Sequence, residues 1–213
     1  MRFPLILGAS AAFLTASVLP VQAASAAAPP APITTTAART ALAGLTVAQP
    51  HSMTGYSRAK FPHWQSQSLK GPGCDTREVV LKRDGTAVRH DDECRAVSGR
   101  WKSVYDGRSY TRSSSVDIDH MVPLANAWRS GADTWSTQRR RAFANDLSRP
   151  QLIAVSAASN RSKGDQSPDQ WKPPLRSYWC TYARAWVQVK QHYALSITQT
   201  EKAALGEMLD TCR

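Results

Sequence analysis

The chain has 213 residues, with 27 lysines and arginines against 16 aspartates and glutamates, a formal charge of +11 at neutral pH. So basic a chain has polyanions as natural partners, although export and solubility alone also produce basic proteins. Beyond the first twenty residues no stretch approaches the roughly 18 to 20 apolar residues of a membrane-spanning helix, so no such helix is expected.

Met1-Arg2, the apolar run from Leu5 to Leu19 and the small-residue site Val21-Gln22-Ala23 read as a secretory signal peptide over 1–23, so a secreted, extracellular product is expected. No cysteine follows the apolar run directly, so no lipid anchor is expected. Residues 24–49, rich in Ala, Pro and Thr, read as a flexible linker or processed pro-region, because such a composition buries too little surface to fold. The remainder, 50–213, is expected to form one α+β domain without internal repeats.

In chain order, Glu78-Val79-Val80-Leu81 and Thr86-Ala87-Val88 flank Asp84-Gly85, a two-residue hairpin signal that predicts an N-terminal β-hairpin. Cys74 and Cys94 lie about equally far outside that turn and are expected to pair across it. A strand over 100–105 and a turn at Asp106-Gly107 lead through Ser109-Tyr110-Thr111 to a strand over 115–119, ended by His120. Pro123 opens a short helix closed by Gly131, and Ser136 caps another that carries Arg139-Arg140-Arg141 and buries Phe143. Pro150 to Val155 is a short buried strand. Ser156 then starts a helix through Asn160 and Lys163 to Gly164.

After Pro173-Pro174, the residues Leu175, Trp179, Tyr182, Trp186, Val189 and Tyr193 recur in steps of four and three, a core stripe rather than a base-stacking ladder. Thr198 and Glu201 form a capping box for a last helix. If the two helices run antiparallel, Cys180 and Cys212 come level and pair. A zinc site of four cysteines is disfavoured by their wide spacings and the absence of any C-x2-C.

The densest chemistry lies in Asp117-Ile118-Asp119-His120 and Asn160-Arg161-Ser162-Lys163. On a strand Asp117 and Asp119 share a face while His120 turns away, so a carboxylate and a base leave one short corner. Histidine alone titrates near neutrality unperturbed, which suits it to take a proton from water. Asp119 and the Asn160 amide oxygen are hard donors suited to Mg²⁺ or Mn²⁺. Asn160 and Lys163, three apart on a helix, share a face. Taken alone, an Asp-His pair is more often a structural hydrogen bond, D-x-D also suits a structural cation, and Asn-Arg-x-Lys also suits a solvated helix start.

Asp117 to Leu124, Asn145 and Asn160 to Asp165 together resemble the HNH or ββα-metal nuclease family, specifically its secreted bacterial branch, over about 73–213. The resemblance implies a β-hairpin packed on a helix around one divalent cation; the C-terminal helix pair read above is expected to brace that core. It implies His120 as general base, Asp119 and Asn160 as metal ligands and Asn145 as the central asparagine, with Asp146 a candidate for the same post. Lys163 is implied to face phosphate and Arg161 is expected to help neutralise it; Asp117 is a supporting residue, and Asp165 is expected either to orient Lys163 or Arg161 or to form a plain surface pair. The implied activity is metal-dependent endonuclease hydrolysis of DNA, with RNA left open; attack of water in line with the leaving 3′ oxygen would give 5′-phosphate products, and with no element dedicated to reading bases, low sequence specificity is expected. No protein partner is evident. A second reading is a secreted basic binder of nucleic acid or cell-surface polyanion without catalysis, in which the Asp-His corner is structural.

Overall fold

The computed structural model describes residues 28–67 and 73–213. The signal peptide expected over 1–23 lies outside the described residues. Among them the fold is mixed, with seven α-helices and two small antiparallel sheets.

The first helix, α1 (Thr35–Gly44), corrects the expectation that 24–49 is a flexible segment. Thr34 caps it by accepting from the Ala37 amide, and Ala38, Ala41 and Leu42 form its buried face. Alanine is the best helix former, and the apolar surface that this stretch lacks is supplied by two later helices, α6 (Trp179–Tyr193) and α7 (Gln199–Leu209), against which α1 packs. Hydrogen bonds from Ala48 to Ile197 and from Ile197 to Thr46 then stitch the outgoing chain to the α6–α7 link.

The second helix, α2 (Thr76–Asp84), corrects the expected strand over 78–81. Asp75 accepts from the Glu78 amide as N-cap, and the N–H of Gly85 returns to the carbonyl of Leu81, so Asp84-Gly85 ends a helix instead of turning a hairpin. Val80 and Leu81 are fully buried. A helix cap and one buried face thus override the strand preference of two valines. The hairpin lies one element later, between β1 (Thr86–His90) and β2 (Ala96–Lys102), with β3 (Ser109–Arg112) completing an antiparallel sheet. Cys74 and Cys94 do pair, joining the entry to α2 with the β1–β2 turn.

Strand β4 (Val116–His120) pairs antiparallel with β5 (Leu152–Ser156) in unbroken register, from Val116 opposite Ser156 to His120 opposite Leu152. Between them come α3 (Leu124–Arg129) and α4 (Thr137–Ala144), the latter capped by Ser136 as its sequence suggests. Ser156 ends β5 and caps α5 (Ala157–Lys163) by accepting from the Ser159 amide, so strand and helix meet without a loop. Gly164, at φ +55°, stops α5.

The stripe of α6 is buried at Tyr182, Trp186, Val189 and Tyr193, while Leu175 precedes the helix and stays exposed. Thr198 caps α7 as expected. Glu201, however, turns inward to accept from Trp186 Nε1 at 2.6 Å and to pair with the buried Lys190, so only half of the capping box forms. Cys180 and Cys212 join the start of α6 to the end of α7. No helix among the described residues is long and apolar enough to cross a membrane.

Candidate functional site

The site grows from the junction of β4 with α5. Asp117 and Asp119 share one strand face, and α5 lies across it. Asn160 Nδ2 donates to Asp117 Oδ2 at 3.2 Å, and Lys163 Nζ donates to both oxygens of Asp119 at 2.9 and 2.7 Å. Residues two apart on the strand therefore clasp residues three apart on the helix. Lys163 also donates to the His120 carbonyl oxygen at 2.8 Å, and Tyr105 OH donates to Asp119 Oδ2 at 2.5 Å.

These contacts place the predicted residues differently from expectation. Lys163 is fully buried and spent on Asp119 and the His120 backbone, which leaves it no path to a polymer phosphate. The cause is its helix face, which packs on the strand. Of the two readings of Asp165 the surface pair is the one formed, to Arg129 at 2.7 Å. Arg161 is exposed and has no acidic partner among the described residues.

Burial raises the carboxyl of Asp119, opposed by the charge and hydrogen bonds of Lys163. Burial likewise lowers the ammonium of Lys163, opposed by Asp119. Burial and the neighbouring Asp119 charge push the Tyr105 phenol well up, so it stays a hydrogen-bond donor.

His120 leaves the opposite side of the strand. Its Nε2 lies 3.0 Å from the carbonyl oxygen of Ala144, the last residue of α4. A carbonyl only accepts, so Nε2 carries the proton, and in the neutral ring Nδ1 is the acceptor. Burial pushes the His120 pKa down to about 3, the Ala144 bond opposing and the charge of Arg58 among those adding to the fall. The ring is therefore uncharged at neutral pH.

Asn145, next to Ala144, does not touch the imidazole. Its side chain accepts from the Gln65 amide at 2.9 Å and donates to the carbonyls of Pro62 and Arg141, both at 2.8 Å, tying the 62–65 loop to the end of α4. Asp146 is buried and takes bonds from the Ser148 and Arg149 amides and from Tyr193 OH, a turn anchor.

His120 is 4% exposed, yet it lines a cleft of about 270 Å³ with Asp119, Asn160, Arg161, Arg58 and Tyr56. A larger cleft, about 710 Å³, touches this one only at Asp165; it is lined by amides and hydroxyls around Asn126 and Ser196 together with Arg129, Asp165, Asp169 and Glu201, and holds no histidine. The smaller one holds the base and two arginines that have no acidic partner among the described residues, and it is the better candidate on chemistry. Arg58 and Tyr105 were not singled out in the sequence, because neither sits in the motif. The Ala144 carbonyl has no side-chain signature at all.

No three His, Cys, Asp or Glu side chains among the described residues group as a metal cluster. A sparsely anchored hard cation of the Mg²⁺ type uses one or two carboxylates and fills its shell with water and substrate oxygens, and it would bind Asp119 through Oδ1, which among the described residues accepts only from Lys163, since Oδ2 accepts from both Lys163 and Tyr105. Asp119 and Asn160 both line the cleft, and the amide oxygen of Asn160 takes no hydrogen bond from the described residues.

Residues 77–208 match the family described as GmrSD restriction endonucleases, C-terminal domain, a span that includes both motif segments. A protein of the fungus Arthroderma benhamiae named "Uncharacterized secreted protein" is 55% identical over 190 residues, covering 86% of this chain and 92% of that protein. The organism lies outside the bacterial branch suggested by the motifs. No solved structure matches.

Proposed function

Because the chain belongs to the family of the GmrSD restriction endonuclease C-terminal domain, we propose that it is a secreted nuclease of the HNH or ββα-metal kind, hydrolysing DNA phosphodiesters with low sequence specificity. Secretion is supported by the name of the fungal relative. The observation that carries the reading is His120, a neutral imidazole lining a cleft with its Nε2 committed to the Ala144 carbonyl.

In this mechanism Nδ1 of His120 takes a proton from water, which attacks phosphorus in line with the leaving 3′ oxygen and yields a 5′-phosphate. The imidazolium that forms is disfavoured in the empty cleft, and the negative charge of a bound phosphodiester favours it. Arg161 and Arg58 neutralise the phosphate. Asp119 and Asn160 would hold the divalent ion, with Lys163 and Tyr105 fixing the carboxylate in place. A bound cation supplies Lewis-acid stabilisation of the phosphorane charge and the leaving alkoxide. Asn145 holds the end of α4 against the 62–65 loop and so keeps the Ala144 carbonyl where His120 needs it.

The paired clasp of Asp117 with Asn160 and Asp119 with Lys163 favours a second reading, in which these residues are structural and the basic surface only binds polyanions. Digestion of double-stranded DNA, single-stranded DNA and RNA across a panel of divalent ions, with end-group analysis, separates the two. Metal-dependent cutting to 5′-phosphates supports the nuclease; binding without cutting supports the second reading.

A further inference from the structure

We propose that Trp64 is a positioning residue for His120, holding the plane of its imidazole; this rests on His120 being the base. The 61–65 segment belongs to none of β4, β5 or α5, yet it reaches the site. Phe61 anchors it, fully buried. On either side of His63-Trp64 the backbone is pinned by one side chain, Asn145, which donates to the Pro62 carbonyl and accepts from the Gln65 amide. His63 is fixed through Nδ1, 2.8 Å from the Phe61 carbonyl.

Held this way, Trp64 adopts φ +57°, the left-handed region that bulky side chains rarely enter. Such a conformation persists where the surroundings over-determine it, and such residues gather at functional sites. Here it lays the indole beside the His120 imidazole, with centroids 5.7 Å apart and planes inclined by 31°. The His63 ring closes a second side, edge-on at 6.4 Å. The imidazole thus has the indole beside it at a shallow tilt, the His63 ring near perpendicular to it and Nε2 on Ala144. Rotation of the ring breaks the bond to Ala144 and carries it out of its place beside the indole. Ala144 and Asn145 are neighbours, so one short turn sets both the hydrogen bond to the base and the loop that packs on it.

The test compares Trp64→Phe, Trp64→Ala and Trp64→Gly in the whole protein. Glycine tolerates the left-handed backbone, so Trp64→Gly removes the ring without a folding penalty from φ. One readout is steady-state plasmid cleavage with Mg²⁺ or Mn²⁺; the other is long-range ¹H–¹⁵N NMR of the histidine rings, which reports the His120 tautomer without substrate. Expected is a fall in kcat on the order of 10- to 100-fold for the Ala and Gly variants with little change in KM, and recovery of most of it in Trp64→Phe. The NMR signal of His120 should pass from one Nε2–H tautomer in the wild type to an average in Trp64→Ala and Trp64→Gly. An unchanged tautomer, or a loss expressed only in KM, overturns the proposal. If the wild type cuts no nucleic acid, the nuclease reading falls while the NMR comparison still decides whether Trp64 orients the ring.

Discussion

Lys163 Nζ sits 2.7 Å from Asp119 Oδ2 with its side chain fully buried, so the ammonium balances a carboxylate inside the domain. Removing one partner of such a pair leaves the other charge uncompensated, at a cost of about 3–5 kcal/mol. Lys163→Met is therefore expected to lower the urea midpoint sharply. A lysine that faced substrate phosphate would instead give unchanged stability and a raised KM.

Asp106 supplies a pH signature. Burial pushes its carboxyl up, but hydrogen bonds from Ser156, the Arg108 amide and Ser159 outweigh that and leave it below the ordinary value of 3.8. A lowered folded pKa contributes stability that is present above the unfolded pKa and lost as pH falls through the folded one. The stability gap between wild type and Asp106→Asn should thus be widest above about pH 5 and shrink toward about pH 2. A gap that does not change with pH across that range contradicts the assignment.

The disulfide of Cys180 with Cys212 spans 32 residues and joins the outer ends of α6 and α7. Replacing both cysteines by serine is expected to cost about 2–4 kcal/mol, read as a lower melting temperature. Reducing agent should shift the wild type in the same direction and leave the double variant unmoved by its effect on this bond.

Leu42 on α1 is 8% exposed and sits in the larger core cluster. Leu42→Ala should cost about 2–5 kcal/mol in denaturant titration. Were the 24–49 stretch a loose tether, the substitution would change nothing.

Local chemistry was the legible part of the fold. The caps at Ser136, Ser156 and Thr198, the strand ending at His120 and the stripe of α6 all follow from local signals; Cys180 and Cys212 pair as the antiparallel helices suggest, whereas Cys74 and Cys94 pair although the hairpin that suggested it is a helix. What failed depended on distant partners. α1 is helical because α6 and α7 cover it, and Val79-Val80-Leu81 is helical because Asp75 caps it and a core receives Val80 and Leu81. In the site, helical spacing brings Asn160 and Lys163 to one face, but nothing local says that Asp117 and Asp119 already occupy the space opposite. Arg58, Trp64 and the Ala144 carbonyl join the site only through the fold.

The most direct measurement is nicking of supercoiled plasmid by the wild type and by His120→Ala, each with Mg²⁺, with Mn²⁺ and with EDTA. The account predicts wild-type nicking that needs the divalent ion and a loss on the order of 10²- to 10⁴-fold in His120→Ala, with the fold intact. Wild-type activity that survives EDTA, or a His120→Ala protein that cuts as fast as its parent, would contradict it.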